Sequence, residues 1–258
     1  MKSFVIFSVL DQNYGIDIEN VKRILPAQEL TEIPDEGSHI EGMFQYEENV
    51  LKVLSFRKAI GRNSYEEQLK EMFPELEAQH KDWVDALNHS VETGEPFTKT
   101  TDPHTCHLGK WIDSFHPDNE ELLALMQKLS HHHQNLHISA VNVLEKRGTS
   151  VDEAKQLIED NVNETYKNTL HYLGKVSDLS ATVAAELQRC LIIRDSDGSF
   201  FGLNIDDVED IVHIEEAELH EVQEVQHMGD FMNVAAILTH NKQLVTIIKD
   251  ITLEKRGA

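Results

Sequence analysis

Eight consecutive positions near the start of the chain recur near its end. Tyr14-Gly15-Ile16-Asp17-Ile18-Glu19-Asn20-Val21 and Phe201-Gly202-Leu203-Asn204-Ile205-Asp206-Asp207-Val208 share aromatic, glycine, apolar, Asx, isoleucine, acidic, Asx and valine in the same order. Each copy follows an apolar run and a turn rich in Asp or Asn. Each also precedes a second strand candidate, at 50–54 in one case and 244–248 in the other. An internal echo of this kind means two similar β units. The stretch between them has a different character, because its apolar residues follow helical rather than strand spacing.

The pattern divides the chain into residues 1–62, 63–187 and 188–258. In the first part, 4–10 is a nearly continuous apolar, β-rich run, expected of a strand with little solvent exposure. Asp11-Gln12-Asn13 is a turn cluster. Residues 18–25 read as a short helical stretch stopped by Pro26. In the middle part, Ser64 and Glu67 fit a capping box, and Pro74 is expected to break or start a helix. A helix over 76–91 then carries His80, Trp83 and Leu87 on one stripe. Pro103 suits the first turn of a short helix holding Cys106 and Trp111. Residues 120–147 read as a long helix ending at Gly148, and Ser150 with Glu153 starts a last helix reaching about 187. Short connections between four helices predict an antiparallel bundle. The last helix carries the apolar stripe Val151, Ala154, Leu157, Ile158, Val162, Tyr166, Leu170 and Leu173, more than a four-helix monomer is expected to cover. That predicts a homodimer through the helical part.

The chemistry of the chain concentrates in Cys106-His107-Leu108-Gly109-Lys110-Trp111, with His80 upstream and His133 and His137 downstream. Four-residue spacing puts His133 and His137 on one helix face, one turn apart. One cysteine and three histidines supply a complete tetrahedral zinc shell, with no position left open for a reacting water. The histidine pair alone does not separate a metal site from a solvated helix face in a chain of 15 histidines. A lone Cys106 is equally readable as a small buried hydrophobe.

Composition bounds the partners. Acidic residues number 46 against 23 basic ones, for a formal net charge of −23. Nucleic acid and anionic membrane surfaces both need clustered Lys and Arg, so neither is expected. Two cysteines make no disulfide framework, and Cys190, in the run Cys190-Leu191-Ile192-Ile193, reads as a buried free thiol. No signal-peptide pattern opens the chain and no long apolar stretch follows, so the expectation is a cytoplasmic protein without membrane insertion.

Two resemblances sharpen this reading. His80-x-x-Trp83, Cys106-x-Leu108-Gly109-Lys110-Trp111 and His133-x-x-x-His137, in that order, resemble the chemoreceptor zinc-binding (CZB) family, a small helical bundle, often dimeric, attached to bacterial signalling proteins. The resemblance implies a Zn2+ cofactor held by His80, Cys106, His133 and His137. The β segments resemble the CheW-like adaptor domain of bacterial chemotaxis, a pair of small β-barrels. The resemblance rests on Tyr14 to Val21, Leu30-Thr31-Glu32-Ile33-Pro34, Ile40-Glu41-Gly42 and residues 50–60 in the first half, and on 198–212 and 244–251 in the second. It implies an α+β fold: a split CheW-like double β-barrel with an inserted antiparallel α-helical zinc-binding bundle. The ends of such an insertion must lie close together. One departure stands out. CheW-like sequences usually carry Arg-Gly shortly before the strand at 50–54, where an Arg supports receptor contact, and this chain has Glu47-Glu48.

The function these resemblances imply is that of a non-enzymatic signalling adaptor. It couples a zinc- or redox-sensing bundle to a chemotaxis histidine kinase (CheA-type) and a chemoreceptor cytoplasmic tip. The input is either zinc supply or an oxidant, such as hypochlorous acid, attacking Cys106. The competing readings are a structural or metal-storage zinc protein and a zinc-dependent enzyme. The enzyme reading lacks an His-Glu-x-x-His motif, and no phosphate-binding Gly-rich loop is present.

Overall fold

The computed structural model describes residues 1–33, 39–195, 197–228 and 231–253 and, at 216 and 221–228, the backbone alone. Pro34 therefore lies outside the described residues. The chain divides into two compact units, one made of Met1–Tyr65 with Ala184–Ala258, the other of Glu66–Val183.

The first unit is β. Its leading segment supplies β1 (Lys2–Val9), β2 (Gln12–Asp17), β3 (Val21–Pro26), β4 (Ile40–Tyr46) and β5 (Asn49–Ser55), followed by the short helix α1 (Phe56–Ala59). Its trailing segment supplies β6 (Arg189–Arg194), β7 (Phe200–Ile205), β8 (Asp207–Ile214), β9 (His220–Met228), β10 (Met232–His240) and β11 (Gln243–Ile251). These form a six-stranded sheet in the order β8-β1-β2-β11-β10-β9 and a five-stranded sheet in the order β3-β6-β7-β5-β4. Each sheet is therefore assembled from both ends of the chain.

The sequence echo becomes a spatial one through this exchange. Gly15 sits opposite Ile247 in the parallel pair β2–β11, and Gly202 opposite Val53 in the parallel pair β7–β5. A Cβ on Gly15 would meet Ile247 Cδ1 at 2.7 Å, and one on Gly202 would meet Cys190 Sγ at 2.9 Å. The repeated glycine lets a neighbouring side chain cross the strand, which is one of the positional uses of glycine in sheets.

Alternation along the strands explains the apolar runs. Val5, Phe7 and Val9 join Leu191, Ile193, Phe201 and Leu203 in a core shared by the two sheets. Phe4 and Ile6 face a second core with Val212, Leu238 and Ile247. Cys190 and Ile192 face a third with Tyr46 and Leu51. Strands covered on both faces must be apolar at nearly every position, hence the unbroken runs in β1 and β6.

One local expectation fails here. Only Ile18–Asn20 forms a helical turn, capped by the Asp17 carboxylate on the Glu19 N–H at 3.0 Å. From Val21 onward the chain is β3, paired with β6 through Leu25↔Cys190 and Pro26↔Arg189. Pairing across the sheet outweighs the weak local helical pattern, and Pro26 falls at the strand end, where a missing N–H is tolerated. Glu47 and Glu48 form the two-residue turn between Tyr46 and Asn49. Glu47 sits at φ 55, and its carboxylate lies 3.4 Å from Lys22 Nζ.

The second unit is helical. It comprises α2 (Tyr65–Thr93), which starts on the last residue of the β unit, α3 (His107–Ser114) and α4 (Glu120–Arg147). Next come α5 (Val151–Leu157), a π turn over Ile158–Val162, α6 (Asn163–Asp178) and α7 (Ser180–Glu186), which runs back across the boundary between the units. The sequence boundaries of α4 hold: Asn119 caps its start by accepting from the Leu122 N–H at 3.0 Å, and Lys146 and Arg147 lie in its last turn. Pro74 does not break α2 but lies inside it. An interior proline costs about 3 kcal/mol, and the burial of Phe73 and Leu76 on either side offsets it at about 1.5–3 kcal/mol each. The last helix is not continuous, since it carries the π turn and breaks at Leu179. Its capping box is half made. Ser150 Oγ accepts from the Glu153 N–H at 3.3 Å, while the Glu153 carboxylate goes to Lys146 at 2.9 Å.

The core of the helical unit packs Trp83, Leu87 and Val91 of α2 against Leu136, Ala140 and Val143 of α4, with Ala154, Ile158 and Val162 closing it. Ala154, Ile158, Val162 and Leu173 are thus buried within one chain. The apolar stripe of the last helix is largely covered without a second copy. At the ends of the unit, Ser180 Oγ donates to the Glu66 carboxylate at 3.5 Å, so the chain leaves and returns at nearby points. No helix among the described residues is long and apolar enough to cross a membrane.

Candidate metal centre

Helical spacing brings the chemistry together. His80 lies on the buried stripe of α2, and His133 and His137 lie one turn apart on the buried face of α4. Cys106 is not inside a helix, as its sequence context suggested, but is the N-cap of α3. Its sulfur accepts from the Gly109 N–H at 3.2 Å. Gly109 permits this, because a Cβ there would overlap the Pro103 carbonyl oxygen. That close approach is the physical reason for glycine in the Leu-Gly-Lys-Trp run.

One atom from each of His80, Cys106, His133 and His137 lies within 4.8 Å of the others. The His80 and His133 Nε2 atoms are 3.2 Å apart, and Cys106 Sγ is 3.2 Å from His133 Nε2 and 3.9 Å from His80 Nε2. A tetrahedral zinc with bonds of about 2.0–2.1 Å to nitrogen and about 2.3 Å to sulfur sets its nitrogens ~3.3 Å apart and nitrogen from sulfur ~3.6 Å. The nitrogen–nitrogen edge is close to the first value, and the two nitrogen–sulfur edges fall on either side of the second.

The tautomers agree with this donor set. His80 Nδ1 faces the Leu76 carbonyl at 2.8 Å, and against a carbonyl that nitrogen must carry the proton. Its Nε2 therefore presents a lone pair toward the cluster, oriented by a backbone acceptor as metal-binding histidines commonly are. His137 is fully buried; neither ring nitrogen makes a hydrogen bond of normal geometry, although the Thr100 and Thr101 backbone lies close enough to favour its protonated form. A buried ring nitrogen without a good partner is costly, and a bound ion supplies one. Trp83 closes the site, its ring 4.9 Å from that of His137 and its Nε1 donating to the Thr100 carbonyl at 2.7 Å. Trp111 stands edge-on to Phe73 at 5.4 Å and fixes α3. An open cleft of about 250 Å³ beside Gln79, Trp83 and Lys99 reaches His80 and Cys106.

The electrostatics favour the ligating forms of the imidazoles. Burial, reinforced by the neighbouring imidazoles, lowers His133 to about 2 and His137 to about 4, and burial lowers His80 as well. All three stay neutral at pH 7. Burial pushes the Cys106 thiol up, opposed by the amides of Gly109 and Leu108, so in the metal-free protein the proton stays on sulfur. A bound cation removes it.

Depressed histidines make the metal-free fold sensitive to acid. The unfolded chain takes up protons below about pH 6.5, while the buried rings refuse them until much lower. Their contribution is intact above pH 6.5 and is lost as pH falls toward the folded values, by up to about 1.4 kcal/mol per unit for each ring. We expect the chelated protein to melt several degrees lower at pH 5.5 than at pH 7, and the difference to shrink in His133→Gln. A melting temperature flat over that interval contradicts the arrangement.

Other histidines of the sequence cluster stand apart. His132 stacks on Tyr172 at 5.1 Å, and His131 pairs with Asn135 at 3.0 Å. Sequence reasoning missed the backbone parts of the site, the carbonyls of Leu76 and Thr100. Only the first had a signal, since it lies four residues before His80 on one helix.

An α+β scaffold carrying a helical bundle with a cluster of three buried histidines and one part-exposed cysteine defines the class. Comparison with known proteins gives the families. Residues 3–77 match the CheW-like domain and residues 65–144 the chemoreceptor zinc-binding domain. The two matches overlap within α2. With this donor set, a chemoreceptor zinc-binding domain makes Zn2+ the cofactor. A CheW-like scaffold joined to such a domain supports a chemotaxis-type adaptor. Among solved structures, the chain is similar to the scaffolding protein TtCheW from Thermoanaerobacter tengcongensis, with 14% identity and a TM-score of 0.45, covering 98% of this chain and 91% of that one. No curated protein matches the chain.

Proposed function

We propose that this protein is a non-catalytic chemotaxis-type adaptor in which a zinc-binding bundle regulates what the CheW-like part docks. The observation that carries the reading is the convergence of four ligand atoms, from α2, the cap of α3 and α4, within 4.8 Å of one another. In this reading residues 1–62 and 188–258 are the two halves of the CheW-like domain, and 63–187 is the zinc-binding domain. His80 and His133 bind through Nε2, Cys106 through Sγ, and His137 through one ring nitrogen. Bound there, zinc supplies a fixed charge and a cross-link between helices. The four protein ligands leave no place for a reacting water, which favours a sensor over a hydrolase.

The partners are a chemotaxis histidine kinase (CheA-type) and a chemoreceptor cytoplasmic tip. The turn Glu47-Glu48 carries acid where related adaptors carry Arg-Gly, so the receptor surface it meets must differ in charge. A homodimer through the helical unit belongs to the same reading, across α4, where Ile138 and Val141 remain exposed. The input is zinc supply or oxidation of Cys106, which the cleft beside Gln79 and Lys99 exposes to solvent. Cys190 is a poor oxidant target: it is buried, and burial raises its thiol to about 12.

The test is capture of the full-length protein by the kinase in three states: zinc-loaded, chelated, and treated with stoichiometric hypochlorous acid. Capture is expected to differ at least fivefold between loaded and chelated protein, about the lower bound of typical coupling between sites. Mass spectrometry should place oxidation on Cys106. Equal capture in all three states leaves the metal-storage reading instead.

A further inference from the structure

The β unit holds one buried ion pair that the reading above does not use. Arg57, 4% exposed, donates from Nε to Asp206 Oδ1 and from Nη2 to Asp206 Oδ2, both at 2.6 Å. Asp206 Oδ2 also accepts from the Leu10 N–H at 2.7 Å. Arg57 comes from α1, Asp206 follows β7, and Leu10 is the turn after β1, so one carboxylate ties both ends of the chain together. The aromatic ring of Tyr65 lies against the guanidinium, 4.2 Å from ring centre to Cζ. Tyr65 belongs to the β unit by its contacts and is also the first residue of α2. The same helix carries His80, four turns further on.

The internal echo shows that this clamp is not a requirement of the β plan. The position matching Asp206 in the first copy is Glu19, and the register that pairs Val53 with Gly202 and Ile247 with Gly15 places Ile251 where Arg57 stands. Among the described residues, the ion pair and the aromatic ring occur in the copy that leads into α2.

We propose that Arg57, Asp206 and Tyr65 form a positioning clamp through which the state of the zinc-binding helix α2 is passed to the β unit. A guanidinium over an aromatic face is an orientation-dependent contact, and a bidentate Arg–carboxylate pair tolerates little rotation. A change in the direction of α2 at Tyr65 therefore loads the Arg57–Asp206 pair and, through Asp206 Oδ2, the Leu10 amide. This inference rests on the zinc reading, because His80 must lose a partner for α2 to respond.

The Leu10 amide offers a direct readout. Hydrogen exchange at single-residue resolution is measured on the full-length protein with zinc and after chelation, with bound metal counted by elemental analysis in each sample. In wild type, chelation is expected to speed Leu10 exchange about tenfold, a typical coupling between sites. Tyr65→Phe keeps the ring and should keep the zinc dependence. Tyr65→Ala should bind zinc as wild type does, yet exchange at Leu10 at one rate in both states. Tyr65→Leu, which keeps apolar volume without a π face, gives the same reading if the alanine variant does not fold. Wild type that binds and releases metal with no change at Leu10 overturns the clamp alone. Zinc dependence that survives in Tyr65→Ala or Tyr65→Leu also overturns it. Wild type that binds no metal overturns the zinc reading and the clamp together.

Discussion

Replacing Cys106 with serine is expected to reduce bound zinc from roughly one equivalent to near none, and to remove the zinc-dependent part of the melting temperature. Serine retains an oxygen that can accept from the Gly109 N–H, so the cap of α3 survives while the sulfur ligand is lost. A serine hydroxyl stays protonated at neutral pH and offers the metal a weak neutral ligand. Three neutral imidazoles then hold the ion without the charge attraction of a thiolate. His133→Ala should have the same effect by a different route, whereas His131→Ala should leave zinc in place, since His131 pairs with Asn135 on the outer face of α4. Zinc in thousandfold excess over its Kd stabilises by about 4 kcal/mol. For a helical unit of this size that corresponds to on the order of 15 °C in melting temperature. Elemental analysis and calorimetry with and without chelator measure both quantities. Full zinc retention in Cys106→Ser and His133→Ala contradicts the assignment, and loss in His131→Ala contradicts its geometry.

The parts of this site that sequence showed, and those it did not, differ in range. His133 and His137 were legible because helix periodicity fixes which residues share a face, and α4 begins after the Asn119 cap and ends at Arg147 where its caps and charges say it should. The pairing of these residues with His80 and Cys106 was legible only through the resemblance, since nothing in the spacing says that α2, α3 and α4 converge. Cys106 was expected within a helix, but the contact of its sulfur with the Gly109 amide makes it the cap. That role comes with a close approach of the Pro103 carbonyl to Gly109, which the sequence pattern does not announce. The same limit explains the misreading of 18–25. Val21, Ile24 and Leu25 carry a spacing that fits a helix, and β6, more than 160 residues away, decides the matter by pairing with them. Pro74 errs in the other direction, because local chemistry opposes a helix that buried neighbours sustain. The clamp of Arg57 on Asp206 had no sequence signal at all, since its partners are 149 residues apart.

The β echo was the most legible feature of the fold, but its spatial meaning is an exchange between copies, and this sets the second large effect. Deleting residues 66–183 and joining the ends with a short Gly/Ser linker is expected to leave a folded, cooperatively melting β protein. Residues 1–65 alone are expected to be unfolded. The first outcome follows from the ends of the helical unit, where Ser180 meets Glu66, so a short linker spans the gap. The second follows from strand order. In isolation, β1 and β2 lose β8 and β11 on their two sides, β5 loses β7, and β3 loses β6, its only partner among the described strands. The shared core would lose Leu191, Ile193, Phe201, Leu203 and Ile205, all fully buried. At about 1.5–3 kcal/mol for each buried side chain, that alone is comparable to the whole net stability of about 5–15 kcal/mol typical of a domain. The clamp also sharpens the comparison. The excised protein keeps Arg57, Asp206 and the Leu10 amide, so its Leu10 exchange reports the ion pair without α2. Circular dichroism, thermal melting and chemical-shift dispersion distinguish the cases. A folded 1–65 fragment would mean that the two copies are independent units, and an unfolded excised protein would mean that the helical unit contributes to the β fold. Either result contradicts the assembly of both sheets from the two ends of the chain as the source of its stability.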